Sequence, residues 1–395
     1  MPEGPVSLSS MAEHRAPTIY DVARLAGVAP STVSRAFARP GRVSAGTAER
    51  IRAVAADLGF RPNPMARALP TGRTSMIALV VPDIANPCCA EIVRGAQAAA
   101  GRSGYAMLLT STDGTRQATL PMDPGAAAPA CGESAPPAAW SARPVRAGGE
   151  GEALERTLSI VDGVVVATPG WDDAAVLAIA GERPVVVLDR AVPGVPSVIT
   201  DNPRGMRQTV AHLAALGHEH VTYLAGAPGS WSDMMRRRSL RQAGTDQGVQ
   251  SRRTGPFPPT VAGGAAAVDE VLRRPTTAVI AHNDLMAMGL IRALAARGLR
   301  VPDDISVVGF DGIFVAELTM PALTTVAAPL RLMGDTAVRH LLAIIGGARP
   351  SVGDPLMLPA SLVVRASTAR RRRTGMLVSS TWTPSMLSAI QDTSP

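Results

Sequence analysis

Apolar residues between positions 18 and 59 recur every three or four places, in runs separated by glycine. Ile19, Val22, Ala23 and Ala26 make one helical stripe, which Gly27 ends. Thr18 is a good N-cap for it, with Asp21 three residues on as a variant of the capping box. Pro30 suits the first turn of a second helix, whose stripe is Val33, Ala36 and Phe37. A third helix starts near Ser44, carries Ile51, Val54, Ala55 and Leu58, and stops at Gly59. The spacing predicts a small three-helix bundle, and the first two helices match a helix-turn-helix. Off the stripe, the second helix shows Pro30, Ser31, Ser34 and Arg35, residues small, polar or basic enough for base edges and phosphates. A plain helical cap without a ligand is the competing interpretation.

From residue 75 the period changes. "SMIALVVPD", "VDGVVVATP", "RPVVVLDR", "SVITDN", "HVTYLAG", "TTAVIAHND" and "DISVVGFD" are short Val/Ile-rich runs. Helical stretches such as "CCAEIVRGAQAAAGRSG", "RGMRQTVAHLAALGH" and "DLMAMGLIRALAARGL" lie between most of them. Buried strands alternating with helices predict α/β structure with parallel sheets. Several runs end on polar residues: Asp83, Asp189, Asp201, Asn283 with Asp284, and Asp311. Strand carboxyl ends are where open α/β sheets bind ligands, so these groups are expected to converge on a crevice.

Charge sharpens the division. All 39 basic residues are arginine, and residues 15–73 hold ten of them against Asp21, Glu49 and Asp57. That surplus equals the formal charge of the whole chain, +7, and points to a polyanion-binding head on a near-neutral body. Hydrophobic residues make up 46% and aromatics 3%, so the core must be aliphatic. No apolar run reaches the ~18 residues of a membrane span, and the N-terminus has no signal-peptide pattern; the expectation is a cytoplasmic, nucleoid-associated protein with no membrane partner. Cys88, Cys89 and Cys131 have neither disulfide-framework nor metal-ligand spacing and are expected to be reduced thiols.

The stretch "TIYDVARLAGVAPSTVSRAF…RVSAGTAERIRAVAADLGFRPNPMARAL" resembles the LacI/GalR family of bacterial transcription regulators. The resemblance implies that the second helix enters the DNA major groove. Base-edge contacts would then come from Pro30, Ser31 and Arg35, and phosphate contacts from Thr32, Ser44 and Asn63, with Thr18 also on the DNA side. It implies a hinge helix at Met65–Leu69, with Leu69 as a minor-groove wedge and Ala66 allowing close approach of two hinges. "VLDR", "TDN", "AHNDLMAMG" and "DISVVGFD" extend the resemblance through residues 75–330. The implied effector-binding positions are Asp189, Thr200, Arg236, Asn283 and Asp311, although "RRR" offers Arg237 and Arg238 as well.

The expected architecture is an all-α helix-turn-helix head plus an α/β periplasmic-binding-protein-like body of two parallel-sheet lobes. Residues 16–61 form the head and 62–73 the hinge. The body spans 74–369, with lobe 1 at about 74–201 and 328–358 and lobe 2 at about 202–327 and 359–369. Three departures stand out. Ala29 occupies a position usually held by serine, which weakens an N-cap. Cys88 and Cys89 follow "NP" where aromatics are common. Residues 114–151 lack apolar periodicity, as an insertion or a local frame error would; the tail 370–395 also looks appended and disordered.

The function expected is a ligand-responsive, sequence-specific repressor of sugar-utilisation genes, a homodimer on a palindromic operator in double-stranded DNA, with a small-molecule effector such as a sugar. The alternatives are a sugar-binding receptor without a DNA role and an enzyme. No G-x-S-x-G, H-E-x-x-H, P-loop or Cys/His cluster is present, and the six histidines are scattered, so neither catalytic group, cofactor nor metal is expected.

Overall fold

A computed structural model of the chain describes residues 17–38, 41–60, 73–112, 149–167, 171–274, 276–350 and 352–371. The chain divides into two compact units at Ser75/Met76.

The first unit holds α1 (Ile19–Ala26), α2 (Pro30–Ala38) and α3 (Ala45–Asp57). Val22, Ala23 and Ala26 pack with Val33, Ala36, Ile51 and Ala55 in one core, as the stripes require. Asp21 accepts hydrogen bonds from Thr18 N at 2.9 Å and Thr18 Oγ1 at 2.7 Å, so the threonine hydroxyl donates here. Gly27 closes α1 in the left-handed region at φ 62°. At the start of α2 the Ala29 carbonyl accepts from Thr32 N and Val33 N, but the alanine has no side-chain acceptor to add.

The second unit contains two six-stranded sheets. The first comprises β1 (Met76–Val81), β2 (Ala106–Ser111), β3 (Gly163–Val166), β4 (Val185–Leu188), β5 (Ser197–Thr200) and β11 (Leu356–Leu358), in the order β11-β5-β4-β3-β1-β2. The second comprises β6 (His220–Leu224), β7 (Gln250–Thr254), β8 (Ala278–Ala281), β9 (Ser306–Asp311), β10 (Thr324–Ala327) and β12 (Ser361–Val363), in the order β12-β10-β9-β8-β6-β7. The ladders are parallel except β12 against β10. The chain passes between sheets after β5, after β10 and after β11.

Helices cover both faces of each sheet. On the first, Ile77, Leu79, Val165, Val186 and Val198 pack against α4 (Pro87–Arg102) and α12 (Leu330–Ile345). The opposite residues, Ala78, Val80, Val164, Val166 and Val187, pack against α5 (Gly149–Ile160) and α6 (Asp173–Glu182). In the second sheet Val279, Ala281 and Val307 face α10 (Val268–Arg273) and α11 (Asp284–Ala296), and α9 (Val261–Ala266) packs on α11. Tyr223, Ile280, Val308 and Phe310 face α7 (Asn202–Ala215) and α8 (Trp231–Gln247). Strand residues alternate between faces, as a period of two dictates, and the central strands are buried on both faces. No helix among the described residues is long and apolar enough to cross a membrane.

Two sequence boundaries need correction. Residues 149–151 open α5 rather than closing an irregular segment. Leu154 and Leu158 supply its sheet-facing stripe. Residues 113–148, the rest of the anomalous stretch, lie outside the described residues. The appended tail does not begin at Arg370: Arg371 N donates to Leu216 O at 2.8 Å, and its guanidinium meets Glu219 at 2.7 Å. Residues 372–395 lie outside the description.

Candidate functional site

The carboxyl ends of β4 and β9 and the first turns of α8 meet around one arginine. Arg236 on α8 is 3% exposed. Its Nε–H donates to Asn202 Oδ1 at 3.4 Å, one terminal nitrogen donates to the His282 carbonyl, and the other donates to Asp311 Oδ1 at 3.0 Å. The same terminal nitrogen stands 3.9 Å from Asp189 Oδ2, so one guanidinium ties the ends of the two sheets together. Its carbon lies 3.7 Å from the centroid of the Phe310 ring, a cation–π contact. His282 Nδ1 lies 3.2 Å from Asp233, which also accepts from Tyr223 OH at 3.0 Å and Gly226 N at 2.8 Å; that network fixes the loop behind Arg236.

The charges do not balance. Burial opposes the charge on Arg236, but Asp311 and then Asp189 outweigh it and hold its pKa above the ordinary value. Burial pushes both carboxyls up, with Arg236 pulling against it in each case. One cation therefore serves two carboxylates, Asp311 buried and Asp189 half-buried, and Asp189 Oδ1 is a buried atom with no hydrogen-bond partner within bonding distance among the described residues. The cluster is short of donors. Both aspartates also have positive φ, 52° at Asp189 and 105° at Asp311. Such backbone is costly outside glycine and clusters at ligand sites. Cys88, in the first turn of α4, packs against the cores of both sheets, and burial pushes its thiol well above the ordinary value, so it stays protonated. Cys88 and Cys89 are free thiols; Cys131 lies outside the described residues.

Of the five effector positions expected from sequence, Asp189, Arg236 and Asp311 meet directly, and the Thr200 hydroxyl lies close enough to Asp189 to pull its pKa down against burial. Thr200 is buried at the end of β5 and its hydroxyl donates to Met333 Sδ at 3.4 Å. Asn283 caps α11 by accepting from Met286 N at 3.0 Å, and its amide donates to Pro259 O at 3.0 Å. In this arrangement both ends of its side chain are engaged. Of the three arginines of "RRR", Arg236 is buried in the cluster, Arg237 is half-buried and Arg238 is exposed. Asn202, Phe310, Asp233 and His282 escaped the sequence reading. Asn202, His282 and Phe310 had a signal there, within "TDN", "AHNDLMAMG" and "DISVVGFD"; Asp233 had none.

In the three-helix unit Ser31 and Arg35 are exposed on α2, with Pro30 and Thr32 half-buried beside them. Arg35 donates to Ser31 O and Ser31 Oγ, both at 3.2 Å, which holds the guanidinium along the helix surface. Ser44 Oγ donates to Thr47 Oγ1 at 2.8 Å. Thr18 is half-buried, its hydroxyl on Asp21. Tyr20, 70% exposed on α1, is an aromatic that apolar periodicity passed over. Asn63, Ala66 and Leu69 lie outside the described residues.

Comparison with known proteins matches residues 18–63 to the model of bacterial regulatory proteins, lacI family, and residues 210–368 to a periplasmic binding protein-like domain. The chain is 33% identical to the HTH-type transcriptional regulator DegA of Bacillus subtilis over 373 residues, 89% of this chain and 98% of DegA. Among solved structures it is similar to the lac repressor dimer bound to operator and the anti-inducer ONPF, with a TM-score of 0.73 and 30% identity over 90% of this chain and all of that one. It is also similar to a complex of the transcriptional regulator CelR with cellobiose, with a TM-score of 0.59 and 30% identity over 89% and 99%. With a helix-turn-helix unit ahead of two parallel-dominated α/β lobes, and with relatives of this kind along most of its length, the chain belongs to the lacI family of bacterial transcription regulators, a family of DNA-binding proteins rather than enzymes.

Proposed function

We propose that this regulator is a ligand-responsive repressor of sugar-utilisation genes that binds a palindromic operator as a homodimer. The observation that carries the ligand half is the donor-poor cluster of Asp189, Arg236 and Asp311. A sugar hydroxyl can donate to Asp311 or Asp189 while accepting from a guanidinium, which fits a group short of donors better than a purely apolar molecule would. The DNA half rests on the exposed Ser31–Arg35 face of α2. Residues 16–61 act as the DNA-binding domain, residues 62–73 as a hinge carrying Asn63, Ala66 and Leu69, and residues 74–369 as the effector-binding domain. A lac repressor dimer on its operator and a CelR–cellobiose complex are the similar proteins that support this division of labour.

Coupling follows from differential affinity. A ligand that holds the two sheet ends together favours one state of the body, and the DNA affinity of the head depends on that state. A coupling free energy of about 1–3 kcal/mol changes operator affinity several-fold to a hundred-fold. The test is selection of bound duplexes from a random library with the full chain, followed by footprinting. A two-fold symmetric consensus protected over both half-sites is expected, because a dimer presents two identical heads. An asymmetric site bound by one copy contradicts the dimer.

A further inference from the structure

Beside the cluster lies a cavity of about 300 Å³, walled by both parts of the body. Asp173 and Arg190 line it from the first sheet's side; Ser230, Trp231, Arg237 and Arg253 line it from the second. It shares backbone with the cluster at two places, since Arg190 follows Asp189 and Arg237 follows Arg236. Asp233 in its wall meets His282, whose carbonyl accepts from Arg236, so cavity and cluster are joined by one network.

The cavity has the opposite chemistry to the cluster. Arg190 is already committed to Asp173 and the Trp171 carbonyl. Asp233, the other acid in the wall, is taken up by Tyr223, Gly226 N and His282. Among the described residues neither Arg237 nor Arg253 has a carboxylate partner, and Arg237 Nε is buried without an acceptor. Two guanidiniums left unpaired in one cavity offer a pair of planar donor forks to an oxyanion. Ser230 caps α8 at the same wall, so the positive end of a 17-residue helix adds to their field.

We infer that the cavity binds the oxyanion of an acidic sugar, a phosphate or a carboxylate, through Arg237 and Arg253, while the sugar's hydroxyls engage Asp311 and Asp189. This rests on the effector-cleft reading above and narrows it from sugars in general to sugar acids. Two measurements on the full chain and on R237Q/R253Q test it. The first is the thermal unfolding midpoint in inorganic phosphate against chloride at equal ionic strength. Phosphate stabilises proteins in general by exclusion from their surface, so the diagnostic is the extra rise: about 2 °C or more in the wild type over the double variant. An equal rise in both proteins overturns the proposal, and the midpoint in chloride reports whether the variant is folded. The second is calorimetry of the wild type with neutral hexoses and disaccharides, their phosphates and the corresponding uronates. At least one acid should bind at least tenfold more tightly than its neutral parent, an advantage that R237Q/R253Q removes. Preference for the phosphate or for the uronate identifies which oxyanion the site takes. A neutral sugar that binds with no acid surpassing it leaves the cleft reading standing and overturns this one; no binding by any member of the panel overturns both.

Discussion

Asp311 illustrates how much one residue holds. It ends β9 at positive φ, accepts from a buried arginine and faces a second carboxylate across the two sheets. Removing one partner of a buried pair usually costs 3–5 kcal/mol because a charge is left unpaired. In D311A, Asp189 remains 3.9 Å from Arg236, so the loss should fall near the low end, about 3 kcal/mol by urea unfolding. Calorimetry should find ligand binding lost, since the acceptor for a sugar hydroxyl is gone. A variant that unfolds with the native midpoint and binds as before moves the site elsewhere. Asp284 gives a second, pH-dependent prediction. It is fully buried, takes hydrogen bonds from Thr325 Oγ1 and Ile313 N, and burial pushes its pKa from 3.8 to about 7. Between those values the folded chain holds a proton the unfolded chain lacks, so this group's contribution to stability falls as pH rises and is flat above about 7. About three pH units correspond to about 4 kcal/mol. In D284N, where Thr325 can turn its hydroxyl to accept, the variant should gain on the wild type as pH rises through that window; parallel stability curves contradict it. Sequence position alone could single out Asp311 and Asp189, because strand ends show in the apolar pattern. It could not find Phe310 under Arg236 or the engaged amide of Asn283, because those depend on which strands become neighbours.

At the scale of elements, the legible strands were the ones buried on both faces. β1, β3, β4, β8 and β9 are largely apolar runs and announce themselves. β2 and β7 lie at sheet edges, and β7 reads Gln-Ser-Arg-Arg-Thr, with no apolar alternation to detect. An edge strand needs only one ladder and is often protected by charge, so polarity there does not argue against a strand. β11 and β12, at the other edges, have three residues each, too few to show a period. α8 was missed for a related reason: its Arg-rich sequence places buried Arg236, Ser239 and Leu240 among polar neighbours. The helices α4 and α12 cross closely because Gly95 and Gly334 have no side chain; a Cβ on either would strike the other helix's backbone, at Arg331 O and Ile92 O. In the head, α2 begins without a capping side chain, since Ala29 offers only its carbonyl. A29S should stabilise that helix start by about 1 kcal/mol. Amide exchange at Ser31 and Thr32 would slow correspondingly, and unchanged exchange there would contradict the weak-cap reading.

At the scale of the molecule, two features are separated along the chain: an exposed Ser31–Arg35 surface in the first unit and a donor-poor cluster joining two sheets in the second. The charge division visible in the sequence anticipates this separation, because arginine surplus is affordable on a surface that meets a polyanion and costly around a neutral crevice. The central claim is that the first surface reads a specific duplex. The most direct test is the dissociation constant of the full chain for the selected duplex and for a scrambled duplex at one salt concentration, with R35A measured alongside. Wild type should prefer the selected duplex by a factor on the order of 10³ or more. R35A should lose about 1–3 kcal/mol of that preference if its guanidinium makes a bidentate base contact. Equal wild-type affinity for the two duplexes would contradict the account.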